Sequence, residues 1–269
     1  MAEQEAWQLE GNAAQIYEEQ KVPSLFRPLA EITLRHVDLD KGDHVIDLAC
    51  GTGIMGRLAA KIVGSSGSVV GVDLNSGMIE AAKQYSMVDG VNMEWHQGDV
   101  TALPFPDASF DVAFCQQGLQ FFPDKLAALK EIRRVLKPGG PVNMTVWSDL
   151  NPYNAAVAGA LTQYVSAQVA AGSTAPFEFR DLVVIKKPLI AAGFHDITTE
   201  PLIVERLLGP AEKSIPTELA GVPYANDVAK LDTPTRMALF KYISDALEQY
   251  RVADGFVIPQ DTNLIRAVA

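Results

Sequence analysis

The clearest chemical pattern in the sequence is a G-x-G-x-x-G match formed by Gly51, Gly53 and Gly56, between an apolar strand pattern and a helix pattern. Asp73 lies twenty residues beyond Gly53, at the end of the next strand pattern. Glycines let a ligand approach the backbone closely, and a carboxylate at the second strand end accepts hydrogen bonds from ribose hydroxyls. The spacing therefore predicts a site for a ribose-containing ligand. The competing interpretation is a tight turn followed by an unrelated surface aspartate.

Two further aspartates bear on which ribose-containing ligand the site would hold. Asp47 lies four residues before Gly51, where its charge would oppose a pyrophosphate but suits a ligand that carries an ammonium and a sulfonium group. Asp99 lies in Gly98-Asp99-Val100, at the end of the third strand pattern, where a carboxylate can accept a hydrogen bond from an adenine amino group. These charges favour an adenosyl ligand with a cationic tail over a dinucleotide.

Such residues need a scaffold that brings successive strand ends side by side. The strand patterns cover residues 45–49, 68–73, 91–96, 110–115 and 142–147, and helix patterns cover 54–63, 76–86 and 126–136. Strands joined by helical crossovers must run parallel, and a parallel sheet covered by helices on both faces is a doubly wound α/β sheet.

The flanking segments have mostly helical patterns. Residues 12–38 precede the strands, with Pro23 at a predicted helix start, and residues 153–171, 181–192 and 211–252 follow them. Residues 197–207 and 264–268 have strand patterns. In the last helical segment, a stripe is predicted to pack in the core: Met237, Phe240, Ile243, Leu247 and Tyr250.

Composition excludes several classes of protein. The 269 residues include 22 Lys+Arg against 33 Asp+Glu, a net charge of −11, and no basic cluster interleaved with aromatics, which argues against nucleic-acid binding. The acidic residues at the N-terminus do not fit a signal peptide, and no apolar run reaches the ~20 residues of a membrane span, so a cytoplasmic protein is expected. Cys50 and Cys115 are too few for a disulfide framework or a four-cysteine zinc site, and no metal is expected.

Five ordered motifs together resemble the class I S-adenosylmethionine-dependent methyltransferases, and in particular the small-molecule C- and O-methyltransferases of ubiquinone and menaquinone synthesis. The similarity is strong over residues 40–148, loose over 12–39, and poor in the remainder, where substrate choice normally resides. The motifs are the segment 45–53, Val72-Asp73, Gly98-Asp99-Val100, the segment 103–111, and Leu136-Lys137-Pro138-Gly139-Gly140.

The resemblance implies a doubly wound, seven-stranded Rossmann-like sheet whose last strand is antiparallel. Residues 197–207 and 264–268 would be strands six and seven, with a helical lid inserted between them. The expected divisions are an N-terminal helical cap over 1–39, a cofactor-binding core over 40–150, and a remainder over 151–269 that completes the core and carries the substrate lid.

The resemblance also implies S-adenosylmethionine as the cofactor and assigns residues to it. Gly51 and Gly53 would lie under the cofactor, Asp73 would bind the ribose, and Leu74 and Met78 would flank the adenine. Tyr17 and Phe26, from the N-terminal helices, could close over the sulfonium, where an aromatic face is electrostatically favourable. The full set of expected cofactor-binding residues is Tyr17, Phe26, Ala49, Gly51, Gly53, Asp73, Leu74, Met78, Gly98, Asp99, Val100, Gln116 and Gln117.

No residue stands out as a general base. Asp149 and Tyr153, just past the fifth strand, are the candidates, and Cys50 and Cys115 raise a thiol role against the simpler interpretation of small residues beside a cofactor. Because a sulfonium is already an activated electrophile, positioning and exclusion of water can suffice. The expected apolar substrate wall consists of Phe121, Phe122, Trp147, Phe177 and Phe179.

The sequence therefore predicts transfer of a methyl group to an O or C atom of a small apolar metabolite. Two alternatives stay open at this point. One is a nicotinamide-dependent oxidoreductase of Rossmann type, which rests on the same glycines and Asp73; the other is a non-catalytic nucleotide-binding module. The sequence also leaves a homodimer open.

Overall fold

The computed structural model describes residues 13–85, 88 and 90–269. Residues 1–12, which include the acidic N-terminus considered above and the start of the predicted cap, lie outside the described residues. Within the cap, helix α1 (Ala13–Ile16) continues as a π-helix (Tyr17–Phe26) and then as α2 (Arg27–Arg35). Pro23 lies inside the π-helix instead of at a helix start. A proline cannot donate the usual helical hydrogen bond, and the wider π turn accommodates it.

Five strands and their helices follow in the predicted alternation. Strand β3 leads to β4 through a long loop, without a helix between them. The elements are β1 (His44–Leu48), α3 (Ile54–Val63), β2 (Ser68–Asp73), α4 (Ser76–Tyr85), β3 (Asn92–Gln97), β4 (Val112–Gln116), α5 (Lys125–Val135) and β5 (Pro141–Trp147).

The second half of the chain adds helices and a second set of strands. These elements are α6 (Pro152–Tyr164), α7 (Ala167–Thr174), α8 (Leu182–Ala191), β6 (His195–Leu202), β7 (Glu205–Leu208), α9 (Ala211–Ala220), α10 (Ala225–Ala229), α11 (Thr233–Ala246), β8 (Arg251–Val252), β9 (Gly255–Pro259) and β10 (Thr262–Val268). Short 3-10 turns occur at Gly64–Ser66, Leu119–Phe121, Ala175–Phe177 and Glu248–Tyr250. Among the described residues, no helix is both long and apolar enough to cross a bilayer.

The central sheet has seven strands in the order β3-β2-β1-β4-β5-β10-β6. Strands β1 to β5 pair in parallel, and β10 inserts antiparallel between β5 and β6, with Thr262 opposite Trp147. This arrangement confirms the predicted doubly wound sheet with an antiparallel last strand. The strand order reverses at β1 and β4, so their carboxyl ends open a crevice in which such folds bind ligands.

The single strand predicted over 197–207 is wrong, because two strands in different sheets occupy this segment. Strand β6 ends at Leu202, and β7 pairs antiparallel with β9 in a three-stranded sheet ordered β7-β9-β8. Leu202 and Val204 are buried beside Trp147 at the point where the chain changes sheet. This small sheet was missed because its strands are only two to five residues long.

The helices around the small sheet form a hydrophobic core of their own. Val157 of α6, Leu239 and Ile243 of α11 and Ile258 of β9 are fully buried in it. The segment 211–252 thus contains α9, α10 and α11, a short turn and β8. Ile243 and Leu247 of the predicted stripe are buried, but Met237 is 59% exposed, because α11 turns that residue toward solvent.

Candidate functional site

A cavity of about 530 Å³ opens at the carboxyl edge of the parallel strands. Its volume lies within the range of small-molecule sites. Residues from the cap, from the ends of β1 to β5, from α7 and from the small sheet line it. The predicted residues on its wall are Tyr17, Phe26, Ala49, Gly51, Asp73, Leu74, Met78, Gly98, Asp99, Val100, Gln116, Gln117, Phe121, Phe122, Trp147 and Phe177.

The turn after β1 carries the Gly51 backbone to the cavity wall. Ala49 and Gly51 both have positive φ, 51° and 56°. The Asp73 carboxylate at the end of β2 accepts hydrogen bonds from the backbone N–H of Gly51, at 2.8 Å, and of Asn75, at 2.9 Å. Burial raises the pKa of Asp73, while these two bonds act to lower it. Since a carboxylate has about four acceptor positions, Asp73 retains capacity for ribose hydroxyls.

Gly53 is required by packing and does not line the cavity. Its φ is 85°, and a Cβ built on it would overlap the ring of Trp95 on β3. The expectation that Gly53 lies under the cofactor therefore has no support from its position. Gly51 differs, because a Cβ there would contact the Tyr17 ring at 3.8 Å.

Asp47 lies beneath the same turn and is almost completely buried. Its Oδ2 accepts a hydrogen bond of 3.0 Å from the N–H of Gly56, in the first turn of α3. Burial raises the pKa of Asp47 to about 7. Asp47 lines a small cavity of about 20 Å³ that shares Tyr17, Ala49 and Gly51 with the large one. A cationic group placed there would favour the ionised carboxylate.

At the end of β3, Asp99 is exposed and anchored by one oxygen. Its Oδ1 accepts hydrogen bonds from the N–H and the hydroxyl of Thr101, both at 2.9 Å. Gly98 and Val100 flank it on the cavity wall, with Met78 of α4 nearby on the same wall. This group can offer an acceptor and an apolar surface to a base.

Two glutamines border the middle of the cavity after β4. Gln116 Nε2 donates to the Phe26 carbonyl at 3.2 Å, and Gln117 Nε2 donates to the Thr262 hydroxyl at 2.7 Å. Within the described ranges, the buried Oε1 of Gln116 has no hydrogen-bond partner. An acceptor in that state suits a ligand with hydrogen-bond donors.

Aromatic rings extend from the cap to the 3-10 turn that follows α7. The centroids of Tyr17 and Phe26 are 5.0 Å apart and stacked, Phe26 and Trp147 are 6.4 Å apart, and Trp147 and Phe177 are 5.9 Å apart and stacked. Phe121 and Phe122 also line the cavity. Phe179 does not; its ring lies 4.5 Å from the Lys125 ammonium.

Neither candidate base lines the cavity. Asp149 has a side chain that is 79% exposed and forms an ion pair of 3.0 Å with Arg180. Tyr153 is buried with the C-terminal helices, and burial raises its pKa well above the ordinary value of 10. An exposed, paired carboxylate and a buried, neutral phenol are poorly placed to take a proton from a substrate in the cavity.

The cysteines are buried and favour the protonated form. Burial raises the pKa of Cys50 well above 9 and that of Cys115 to about 12. Cys50 reaches the small cavity, and Cys115 lines neither cavity. No group of three or more metal-ligating side chains occurs in the part of the chain that the structure describes. The geometry gives no support to a thiolate role.

Sequence reasoning missed several polar residues of the cavity wall, among them Lys21, Arg206, Tyr224 and Gln260. Arg206 lies on the same strand face as Val204 and Leu208, two residues to either side, and all three are buried. A charged residue at an inward position of an alternating strand was the one available signal. Lys21, Tyr224 and Gln260 lie in segments with no distinctive motif.

Comparisons with known proteins agree with this geometry. The methyltransferase-domain family matches residues 45–140. The 2-phytyl-1,4-naphtoquinone methyltransferase of Synechococcus elongatus is 41% identical over 100 residues, which are 36% of this chain and 43% of that protein. The ubiquinone/menaquinone biosynthesis C-methyltransferase UbiE of Chromobacterium violaceum is 39% identical over 133 residues, which are 48% and 54% of the two chains.

The matches with these two relatives thus span about half of their length. Both are methyltransferases and neither is an oxidoreductase. Among solved structures, the YcgJ protein of Bacillus subtilis has a TM-score of 0.57 at 17% identity, over 89% of this chain and 97% of that one, which shows a shared fold. Residues 45–140 are therefore similar to the methyltransferase-domain family and to these quinone methyltransferases, in agreement with the resemblance that the motifs indicate.

Proposed function

We propose that this protein transfers a methyl group from S-adenosylmethionine to an O or C atom of a small apolar metabolite. The observation that carries the proposal is one cavity that joins Asp73, Asp99 and Gly51 to an aromatic wall at Trp147 and Phe177. A nucleotide-binding wall and an apolar wall within one cavity suit a cofactor and an acceptor held together.

The residues present fit the cofactor. Gly51 permits close backbone approach, Asp73 and Asp99 offer acceptors for a ribose and an adenine, and the buried Gln116 Oε1 lacks a partner among the described residues. Asp47, with a pKa near 7, suits an ammonium group. When bound, S-adenosylmethionine supplies an electrophilic methyl carbon attached to a sulfonium.

The protein's contribution is to orient the acceptor and exclude water. With S-adenosylmethionine held by Gly51, Asp73 and Asp99, the cavity would set an acceptor atom on a path in line with the methyl group, and the cofactor would supply the methyl and keep the electron pair of the methyl–sulfur bond. Tyr17, Phe26 and Trp147 supply apolar surface beside this path. None of the histidines lines the cavity in the described chain, so an acceptor that enters already ionised, or that releases its proton to water, fits best.

The relatives favour a quinol or naphthol as the acceptor, since their names refer to naphthoquinone, ubiquinone and menaquinone. The remaining expectations from the sequence, a homodimer, a cytoplasmic location, no nucleic-acid partner and the division at residues 39 and 150, stay predictions.

Calorimetry with S-adenosylhomocysteine and a methyl-transfer screen test the proposal. We expect saturable binding of S-adenosylhomocysteine, and transfer of labelled methyl to at least one member of a panel of phenols, catechols and quinols. Binding without transfer to any of them would favour the non-catalytic module. Binding of NADH, with no heat from S-adenosylhomocysteine, would contradict the cofactor assignment.

A further inference from the structure

A buried ionic cluster lies on the wall of the cavity, away from the expected nucleotide-binding residues. Two cationic side chains contact the same carboxylate oxygen of Glu218 in α9. Its Oε2 lies 2.9 Å from Lys21 Nζ and 3.0 Å from Arg206 Nη1. The side chains of Lys21, Arg206 and Glu218 are only 12%, 7% and 3% exposed. Burying three ionic groups is costly unless their charges are compensated.

The charges of this cluster do not cancel. An arginine stays protonated in proteins, so Arg206 alone balances Glu218. Burial acts to raise the pKa of Glu218, but the two cations outweigh it and hold this pKa below its ordinary value. Burial lowers the pKa of Lys21, and Glu218 opposes that effect. With Lys21 protonated, the cluster carries one excess positive charge, and a bound anion would further favour that state.

The surrounding groups offer no second carboxylate in the described part of the chain. The Arg206 guanidinium lies 4.5 Å from the centre of the Tyr153 ring, and burial keeps both Tyr153 and Tyr224 neutral by raising their pKa values. Arg206 Nε, a donor on a residue of the cavity wall, is buried without a hydrogen-bond partner among described residues. The cluster is therefore under-compensated in both charge and hydrogen bonds.

Topology places this cluster across the cavity from the expected adenosyl contacts. Asp73 and Asp99 follow β2 and β3, at one side of the sheet order, whereas Gln260 precedes β10, beside Trp147 at the end of β5. The N–H of Gln260 donates to the Val204 carbonyl at 2.8 Å, two residues from Arg206. The cationic residues thus lie on the side where an acceptor would be held.

We propose that Arg206 and Lys21 bind an anionic oxygen of the methyl acceptor, so that the substrate is an apolar molecule bearing a carboxylate or an ionisable hydroxyl. This inference rests on the proposed function for the role of the ligand as acceptor. The oxyanion supplies the missing negative charge of the cluster, and the aromatic wall at Trp147 and Phe177 packs against the apolar body. Holding the acceptor as its anion also explains why no base is needed at the cavity.

A matched pair of probes, 2-naphthoate and 2-naphthamide, tests the charge preference by calorimetry on the full chain, with and without S-adenosylhomocysteine. They share an apolar ring and differ in charge. We expect the wild type to bind the naphthoate about tenfold more tightly, the size of one charge-assisted hydrogen bond. Arg206→Met keeps a long aliphatic side chain at this position but removes the charge. In this variant we expect the preference to disappear.

Two further variants keep the test decisive if Arg206→Met does not fold. Lys21→Met should reduce the preference, and Glu218→Gln, which removes the one negative charge, should increase it. Arg251→Gln alters an exposed arginine paired with Glu248 and serves as the matched control, with no change expected. Opposite signs for Lys21 and Glu218 would not result from a loss of packing alone.

A titration with 2-naphthol separates the two sources of the anion. Absorbance reports the pH at which the bound hydroxyl ionises. An ionisation pH that is lower in the protein than in water, and that returns toward the water value in Arg206→Met, indicates a phenol-type acceptor. A preference for naphthoate without this shift indicates a carboxylate.

Equal affinity of the wild type for naphthoate and naphthamide, with no shift for naphthol, would overturn the inference. So would an unchanged naphthoate preference in a folded Arg206→Met. The affinity for S-adenosylhomocysteine is measured separately in each variant. If the wild type does not bind S-adenosylhomocysteine, the proposed function is contradicted. If it binds S-adenosylhomocysteine but does not prefer the naphthoate, only this inference is contradicted.

Discussion

At the scale of single residues, the three carboxylates near the cavity differ in burial, hydrogen bonds and pKa. Asp73 is partly occupied by backbone donors, Asp47 is buried with a pKa near 7, and Asp99 is exposed and held by Thr101. Asp47 lies in β1, Asp73 ends β2 and Asp99 follows β3. Because these strands are neighbours and run parallel, one edge of the sheet offers three acceptors to a ligand.

The Asp73→Ala variant should weaken the binding of S-adenosylhomocysteine by about 1–3 kcal/mol, because ribose hydroxyls would lose their acceptor. Calorimetry measures this change. Asp245→Ala, which removes an exposed partner of Lys241 on α11, is the matched control. An unchanged affinity in Asp73→Ala would place the ribose elsewhere, and a melting curve shows whether the turn at Gly51 still folds.

The pKa of Asp47 predicts a pH dependence of cofactor binding. Below pH 7 the carboxyl is protonated and cannot pair with an ammonium group, so affinity should fall as the pH falls through 7, by at most about tenfold per pH unit. Calorimetry with S-adenosylhomocysteine between pH 5.5 and 8.5, values chosen to bracket about one and a half units on each side of the pKa, measures the slope. Asp47→Asn should flatten it; a slope that persists in this variant would assign the titration to another group.

At the scale of elements, the turn between β1 and α3 is held by packing from β3. Gly53 and Gly71 both lie against Trp95, and a Cβ on either would overlap its ring. The Trp95 ring thus connects β3 with β2 and with the turn that follows β1. Position 53 therefore requires glycine so that the turn can pack against Trp95, whereas glycine at position 51 leaves room for a ligand.

Gly53→Ala should destabilise the fold by more than Gly139→Ala, which is the matched control. Both positions have positive φ, 85° and 84°, but nothing lies within 4 Å of a Cβ built on Gly139. We expect about 1–2 kcal/mol for Gly139→Ala from backbone strain and about 1–3 kcal/mol more for Gly53→Ala from overpacking. Urea unfolding measures both, and equal losses would show that the Trp95 ring yields freely.

At the scale of the whole molecule, two buried ion pairs connect the cap to distant segments. Glu18 binds Arg57 of α3 at 2.7 Å, and Lys21 binds Glu218 of α9 at 2.9 Å. The cap thereby touches both the sheet side and the C-terminal helices, and Tyr17, Lys21 and Phe26 contribute to the cavity wall. Closure of the cavity depends on contacts between parts of the chain that are far apart in sequence.

Glu18→Gln should cost about 3 kcal/mol of unfolding free energy, because Arg57 would stay buried without its counter-charge. Glu80→Gln removes an exposed partner of Lys83 and should cost less than about 1 kcal/mol. Urea unfolding compares the two. A loss for Glu18→Gln as small as that for Glu80→Gln would show that the cap is held by its apolar contacts alone.

The sequence by itself determined the doubly wound sheet, the turn at Gly51 and the strand-end positions of Asp73 and Asp99, because local periodicity and strand order place these groups at one edge. It did not separate β6 from β7, whose boundary depends on pairing with β9 some fifty residues later. Only the tertiary structure placed Asp149 and Tyr153 outside the cavity and joined Lys21, Arg206 and Glu218. Those three residues come from a π-helix, a short strand and a helix that meet through packing, and no short-range pattern records which distant charges share one buried space.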